Sequence, residues 1–257
     1  MKIATWNLER AEPQTPQAQA QQQWIHRINA DLWIFTETHP AASPGSGYQS
    51  VVSHLVTPDL SPETHGDGHW VQIWIRDMGL REVSPLVTAD PERTACALIH
   101  LENKGRCLVY GTVLPWPGSS WRTHAAEDGS AFLAALALQQ ADWQRLQRIY
   151  PDTLLIVAGD FNQDLNVLPY YGSRRTKQAL RQALLEADLE CLTFGDNDPV
   201  RRLINSQHSN IDHICMTHDA QLHIQRTFAW PEELEALRGL SDHFGIGLEI
   251  TCSGLSG

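Results

Sequence analysis

The sequence predicts an α/β protein with mixed β-sheets and helices outside them. Short apolar runs, too brief for helices, recur along the chain and abut polar clusters. Amphipathic stretches of helical period lie between several of them. No linker or low-complexity segment divides the chain, so 1–257 reads as a single domain.

Residues 2–6 read as the first strand, running into Asn7-Leu8-Glu9-Arg10. Pro13 and Pro16 end it, and 17–29 follow as a helix with Trp24, Ile25 and Ile28 at helical spacing. Residues 32–35 form a second strand ending in Thr36-Glu37-Thr38-His39. Further strands are predicted over 48–56, 70–76, 80–83, 95–101 and 106–114, the last two joined by the turn Glu102-Asn103-Lys104-Gly105. A long loop over 115–129 carries Trp116, Trp121, Arg122 and His124, and 130–149 is a long amphipathic helix.

The central stretch is Leu154-Leu155-Ile156-Val157-Ala158-Gly159-Asp160-Phe161-Asn162, a buried strand ending in polar residues. Gly159 is expected to let the chain leave the sheet and approach a ligand closely. Asp160 and Asn162 suit a hydrated metal and a phosphate oxygen, or the orientation of a water. Alone, such an ending is also ordinary turn chemistry. Helix 173–188, strands 211–216 and 222–228, a short helix 231–238 with Pro at its start, and strand 243–250 complete the chain; 251–257 reads as a loose tail.

A 42% hydrophobic content places the chain among soluble globular proteins. The net charge of −11 gives no general attraction to nucleic acid or anionic membranes, although a bound divalent cation inverts the local field. Five cysteines, at 96, 107, 191, 215 and 252, lack paired spacing, and several sit in apolar runs. They read as reduced core thiols, so the expected location is cytoplasmic. The start of the chain lacks the apolar region of a signal peptide, and no stretch is long enough for a membrane span. No obligate protein partner is inferred.

Five segments join a strand to a polar cluster. The apolar run comes first at Trp6, Phe35 and Ala158; the cluster comes first at Asn210-Ile211-Asp212-His213 and Ser241-Asp242-His243. If the first three strands run one way and the last two the other, all five clusters reach one rim. Several carboxylates there repel one another, and a divalent cation relieves that repulsion. Oxygen donors with Asn suit Mg²⁺ or Mn²⁺ better than Zn²⁺.

These segments, Thr5-Trp6-Asn7-Leu8-Glu9-Arg10, Thr36-Glu37-Thr38, Gly159-Asp160-Phe161-Asn162, Ile211-Asp212-His213-Ile214 and Ser241-Asp242-His243, resemble the endonuclease/exonuclease/phosphatase (deoxyribonuclease I-like) family nearly end to end. The resemblance implies a four-layer α/β sandwich, with two mixed, mainly antiparallel sheets face to face and helices outside. It implies Mg²⁺-dependent phosphoester hydrolysis, with Mn²⁺ as substitute. Glu37 matches the main metal ligand and Asn7 a residue of its network. Glu9 and Asp242 match acids near the metal. Asp160 and Asn162 match the pair that orients or activates water. His243 matches the imidazole beside the scissile phosphate, and Asp212 the carboxylate that holds it.

Two positions depart from the pattern. The family usually places a His or Tyr near the end of a middle strand; here the best match is Val113, and His124 and Trp116 are candidate substitutes. Thr36 stands where a Gln is common. Among other candidates, Trp116 and Trp121 either stack on substrate or cover the core under the loop. Arg174, Arg175 and Lys177, preceded by Tyr170 and Tyr171, either bind phosphate or form a solvated helix face. Arg201 and Arg202 are similar. His65, Asp67 and His69 are candidates for a second metal or for an ordinary loop.

The leading expectation is therefore a metal-dependent phosphodiesterase or nuclease, with DNA or RNA favoured as substrate. A hydrolase of small or lipid phosphates is the alternative, favoured by the acidic charge. A non-catalytic binding module is the remote one, with Val113 as its support.

Overall fold

The computed structural model describes the chain except residues 56–67, 103–104, 125–128, 167–170, 202, 204–208, 219–221 and 253–257. His65, Asp67, Tyr170, Arg202 and the middle of the expected 102–105 turn lie outside the described residues.

Among the described residues, twelve strands form two six-stranded sheets. The first contains β1 (Lys2–Asn7), β2 (Leu32–Thr38), β3 (Tyr48–Val52), β4 (His69–Arg76), β11 (Leu222–Trp230) and β12 (Gly245–Cys252), in the order β11-β12-β1-β2-β4-β3. The second contains β5 (Leu80–Leu86), β6 (Thr94–Leu101), β7 (Arg106–Val113), β8 (Leu154–Asp160), β9 (Leu189–Cys191) and β10 (Asp212–Thr217), in the order β5-β6-β7-β8-β10-β9. Each sheet has one parallel pair at its centre, β1 with β2 and β7 with β8, flanked by antiparallel strands. Helices α1 (Pro16–Ile28) and α2 (Ser130–Ile149) make the two crossovers that parallel pairs require. Helix α3 (Arg174–Glu186) follows β8, and the short α4 (Leu234–Leu237) precedes β12.

The continuous apolar runs arise because both faces of these strands are covered. Ile34, Ile73, Val109, Ile156, Ile214 and Leu248 meet between the sheets. Their neighbours point the other way: Trp33 and Phe35 pack with Ile25 of α1, while Leu155 and Val157 pack with Trp143 of α2 and Leu180 of α3. The result is the expected four-layer sandwich.

Local chemistry sets the helix ends. The Thr15 hydroxyl accepts from the Ala18 amide at 3.2 Å, and Pro16 opens α1. Ser173 and Thr176 form a reciprocal cap on α3, so this helix starts one residue later than expected. The last helix departs further: it begins at Leu234, so Pro231 is not its first residue. Strand β9 and a 3₁₀ turn at Gly195–Asn197 were not expected; three residues are too few to show periodicity.

Gly159 has a different role from the one its position in the sequence implied. Its φ is +139°, and a Cβ there would meet the Thr112 carbonyl oxygen at 2.1 Å. The close approach is to the neighbouring strand β7, not to a ligand.

Candidate active site

The strand directions place all five polar clusters at one rim. Strands β1, β2 and β8 bring their C-terminal ends there, whereas β10 and β12 run antiparallel to β8 and β1 and bring their N-terminal ends. A cleft of about 550 Å³ opens at this rim, lined by Glu9, Arg10, Glu12, Glu37, Trp70, Trp116, Asp160, Asn162, Tyr171, Asp242 and His243.

The backbone turns sharply where the side chains emerge. Glu9, Arg10, Glu37 and Asn162 all have left-handed φ values, from +46° to +50°. Such conformations are costly for residues with a Cβ, and they cluster where surrounding bonds over-determine them. Here the Leu8 amide donates to the Thr36 carbonyl at 2.9 Å and the Arg10 amide to the Glu37 carbonyl at 2.8 Å, lacing the two strand ends together.

Asp160 is buried at the cleft floor. Its Oδ1 accepts from the Asn162 backbone amide at 2.8 Å, and its Oδ2 from Asn162 Nδ2 at 3.0 Å and Asn7 Nδ2 at 3.4 Å. Asn162 Nδ2 also donates to the Leu114 carbonyl at 2.9 Å, which leaves its Oδ1 as the acceptor for the cleft. Asn7 Nδ2 reaches Glu37 Oε1 at 3.0 Å, so one amide joins Asp160 to Glu37. Burial pushes the Asp160 carboxyl up to about 8; His243 opposes that rise, and the charges of Asp212 and Glu37 add to it.

His243 Nδ1 donates to Asp212 Oδ2 at 2.6 Å, which turns Nε2 toward Asp242 Oδ1, 3.8 Å away. Burial pulls the imidazole pKa down, but Asp212 and Asp160 outweigh it and hold the ring well above its ordinary value. The loop carrying it is tied to β1: Ser241 Oγ donates to the Asn7 carbonyl at 2.8 Å, and Trp6 Nε1 to the His243 carbonyl at 3.0 Å. Ligand atoms of Asp160, Asp212 and His243 all lie within 4.8 Å of one another.

The residues present fit a hard divalent cation. Glu9, Glu12, Glu37, Asp160 and Asp242 bring five carboxylates to the cleft, and Arg10 Nε approaches Glu37 Oε2 only to 4.0 Å. Burial raises the Glu9 carboxyl, and repulsion from Asp242 and Glu37 raises it further. An all-oxygen set with this excess of negative charge suits a metal that prefers oxygen.

A model of the endonuclease/exonuclease/phosphatase family matches residues 4–243. The chain belongs to this family. It is a metal-dependent phosphoric ester hydrolase of the endonuclease/exonuclease/phosphatase type. No curated protein sequence matches it. Among solved structures, human Nocturnin's catalytic domain is 16% identical at a TM-score of 0.68, covering 98% of this chain and 94% of that one. The endonuclease domain of the telomere-specific retrotransposon TRAS1 is 16% identical at 0.66, covering 98% of each. A mannosyl-6-phosphatase of Bacteroides thetaiotaomicron is 16% identical at 0.63, covering 98% and 99%. At these identities the likeness is one of fold.

This member of the family thus gathers Asn7, Glu9, Glu37, Asp160, Asn162, Asp212, Asp242 and His243 at one rim, with Trp116 and Tyr171 on the cleft wall. Other candidates stand elsewhere. Trp121 packs into the core with Ala131 and Phe132 and stacks on His124, and neither lines the cleft. Arg175 lines a neighbouring pocket, whereas Arg174 lines neither. Lys177 is buried and bound to Asp164 Oδ2 at 2.8 Å, so it is not part of an open basic patch. Arg201 pairs with Asp196, and His69 bonds the Ser53 carbonyl.

Val113 is fully buried between the sheets beside Asp160 and offers no polar atom. The sequence reading missed Arg93 nearby, whose carbonyl accepts from the Val113 amide at 3.0 Å. Arg93 is only 2% exposed, and its Nη1 and Nη2 atoms are buried with no hydrogen-bond partner. Its guanidinium lies 4.3 Å from the Trp70 ring centre and 5.7 Å from that of Trp116, and Arg10 lies 4.5 Å from Trp70. Burial lowers the Arg93 pKa to about 10, against the pull of Asp90, Glu37 and Asp160, so it stays charged. Arg93 precedes a strand in a polar turn, and only the folded register shows where it points.

Proposed function

We propose that the chain hydrolyses a low-molecular-weight phosphoester with Mg²⁺ and water. The observation that carries this reading is the single network from Glu37 through Asn7 to Asp160, with the Asp212–His243 pair within 4.8 Å of it. Glu37, with Asn7, Glu9 and Asp242 about it, would hold the Mg²⁺, which supplies Lewis-acid stabilisation of phosphoryl charge when bound.

The other steps belong to the chain. In its ionised form, which a cation bound at Glu37 would favour, Asp160 takes a proton from the attacking water, and Asn162 Oδ1 orients that water. The water oxygen bonds to phosphorus as the bond to the leaving oxygen breaks. His243, kept protonated by Asp212, places its Nε2–H against a non-bridging oxygen as charge develops. Arg93 and Arg10 add positive charge behind Trp70. Tyr171, whose phenol is pushed up to about 12 by burial and by Asp160, stays a hydrogen donor on the cleft wall.

The acids Glu9, Glu12, Glu37 and Asp242 around the cleft favour a small substrate over a long polyanion. DNA or RNA remains the second reading, supported by Trp116 and by Arg174 and Arg175 at the start of α3. Relatives in fold include an endonuclease domain and a zebrafish (D. rerio) TDP2 solved with single-stranded DNA product. Salt separates the two: turnover of an oligonucleotide held by several phosphate contacts falls steeply between low and moderate salt, whereas a small ester responds little. No helix among the described residues is long and apolar enough to cross a membrane. Cys96, Cys191 and Cys215 form no disulfide among the described residues, which supports a reducing, cytoplasmic setting.

A further inference from the structure

A second pocket of about 450 Å³ adjoins the acidic cleft, and Asn162 and Trp116 line both. Its lining has the opposite character. The cleft holds five carboxylates, those of Glu9, Glu12, Glu37, Asp160 and Asp242. In the pocket, Phe132 and the Pro115-Trp116-Pro117 run provide apolar surface, and among the described residues its lining includes no carboxylate and the exposed Arg175 is its one charged residue. The described lining is thus mainly apolar beside a cleft lined by five acids.

The pocket exists because two helix starts approach closely. A Cβ on Gly129, at the start of α2, would meet Thr176 Cγ2 of α3 at 2.7 Å, and one on Gly172 would meet Gln163 Oε1 at 2.3 Å. The Gln163 side chain is held by Thr176 and by the Tyr171 carbonyl, so the wall between cleft and pocket is fixed. The volume suits one organic group rather than a polymer.

We propose that this pocket binds a planar, ring-bearing organic group of the phosphoester, of about nucleoside size, while the phosphate lies in the acidic cleft. The proposal rests on the hydrolase reading above and assigns its substrate class. Trp116, at the junction, stacks on the ring; Phe132 and the prolines exclude water; Arg175 meets a negative or polar substituent.

The test compares phenylphosphonate with methylphosphonate, neither of them hydrolysed, by calorimetry on the full chain with Mg²⁺. Alongside, kcat/KM is measured for phenyl, p-carboxyphenyl and methyl phosphate. The phenyl probe should bind about tenfold tighter or more, from the apolar area its ring buries. Phe132→Leu should shrink that ratio, and Arg175→Ala should remove any preference for the p-carboxy ester over phenyl phosphate. Filling the pocket by Ala131→Met should raise KM for the phenyl ester alone, and the methyl ester serves as the check that each variant is folded. Equal affinities of the two phosphonates, or variants that act equally on all esters, overturn the subsite. Loss of turnover of every ester by the wild type would instead overturn the hydrolase reading.

Discussion

His243 Nδ1 and Asp212 Oδ2 are 2.6 Å apart, in a pair that joins the second sheet to the loop before β12 of the first. The pair fixes which ring nitrogen faces the cleft and keeps the ring charged beside Asp160.

A stability profile follows. His243 is raised above its ordinary value of 6.5, so its stabilisation is complete below that pH and is lost as pH rises through the folded value. Asp160 is raised from 3.8 to about 8, so between those values the folded chain holds a proton that the unfolded chain has released. Stability therefore falls with rising pH there too. The metal-free protein, measured by thermal unfolding in chelator, should lose Tm from pH 6 to 9, and Mg²⁺ should restore more of it at the alkaline end. A Tm that rises across that range contradicts the assignment.

The buried guanidinium of Arg93 costs stability and serves charge. Arg93→Met keeps the apolar stem against Trp70 and Trp116 and removes a cation whose Nη atoms have no hydrogen-bond partner. Tm should hold or rise, while kcat/KM falls by about tenfold as the positive charge behind Trp70 is lost. A fall in Tm with activity intact would make Arg93 structural.

Gly159→Ala tests the junction of β7 and β8. The added methyl would sit 2.1 Å from a backbone oxygen at a φ of +139°, and neither strand has room to move. A loss of about 3 kcal/mol or more is expected from denaturant unfolding. A nearly neutral result would show that the sheet yields there.

Glu37→Gln removes the charge that the Asn7 amide and Arg10 orient. Mg²⁺ affinity by calorimetry should weaken by about tenfold or more, equivalent to ~1.4 kcal/mol, with the fold unchanged by circular dichroism. Unaltered affinity would move the metal to other carboxylates.

Much of this was legible in the chain itself. The strands with both faces covered announced themselves as apolar runs, and Asn7, Glu37, Asp160, Asp212 and His243 stood at their ends because strand ends define the rim. What escaped depends on contacts between distant segments. Arg93 has no pattern around it, yet the register between β6 and β7 sets it behind Trp70. Trp121 and Trp116 occupy the same loop, but one covers the core and the other lines the cleft. Lys177, read as part of a phosphate-binding patch or a solvated helix face, is instead buried against Asp164. Gly159 was expected to let the chain leave the sheet toward a ligand, but it stays within β8, paired with Thr112 on one side and His213 on the other.

The most direct measurement is turnover of p-nitrophenyl phosphate and its bis-ester with and without Mg²⁺, wild type beside Asp160→Asn. The substitution keeps the shape and the bond to Asn7 while removing the proton acceptor. Mg²⁺-dependent turnover that drops by about 10²- to 10⁴-fold in the variant, with metal still bound, is the predicted result. Turnover indifferent to Mg²⁺, or preserved in Asp160→Asn, would contradict the assignment of Asp160 as the group that takes the proton of the attacking water.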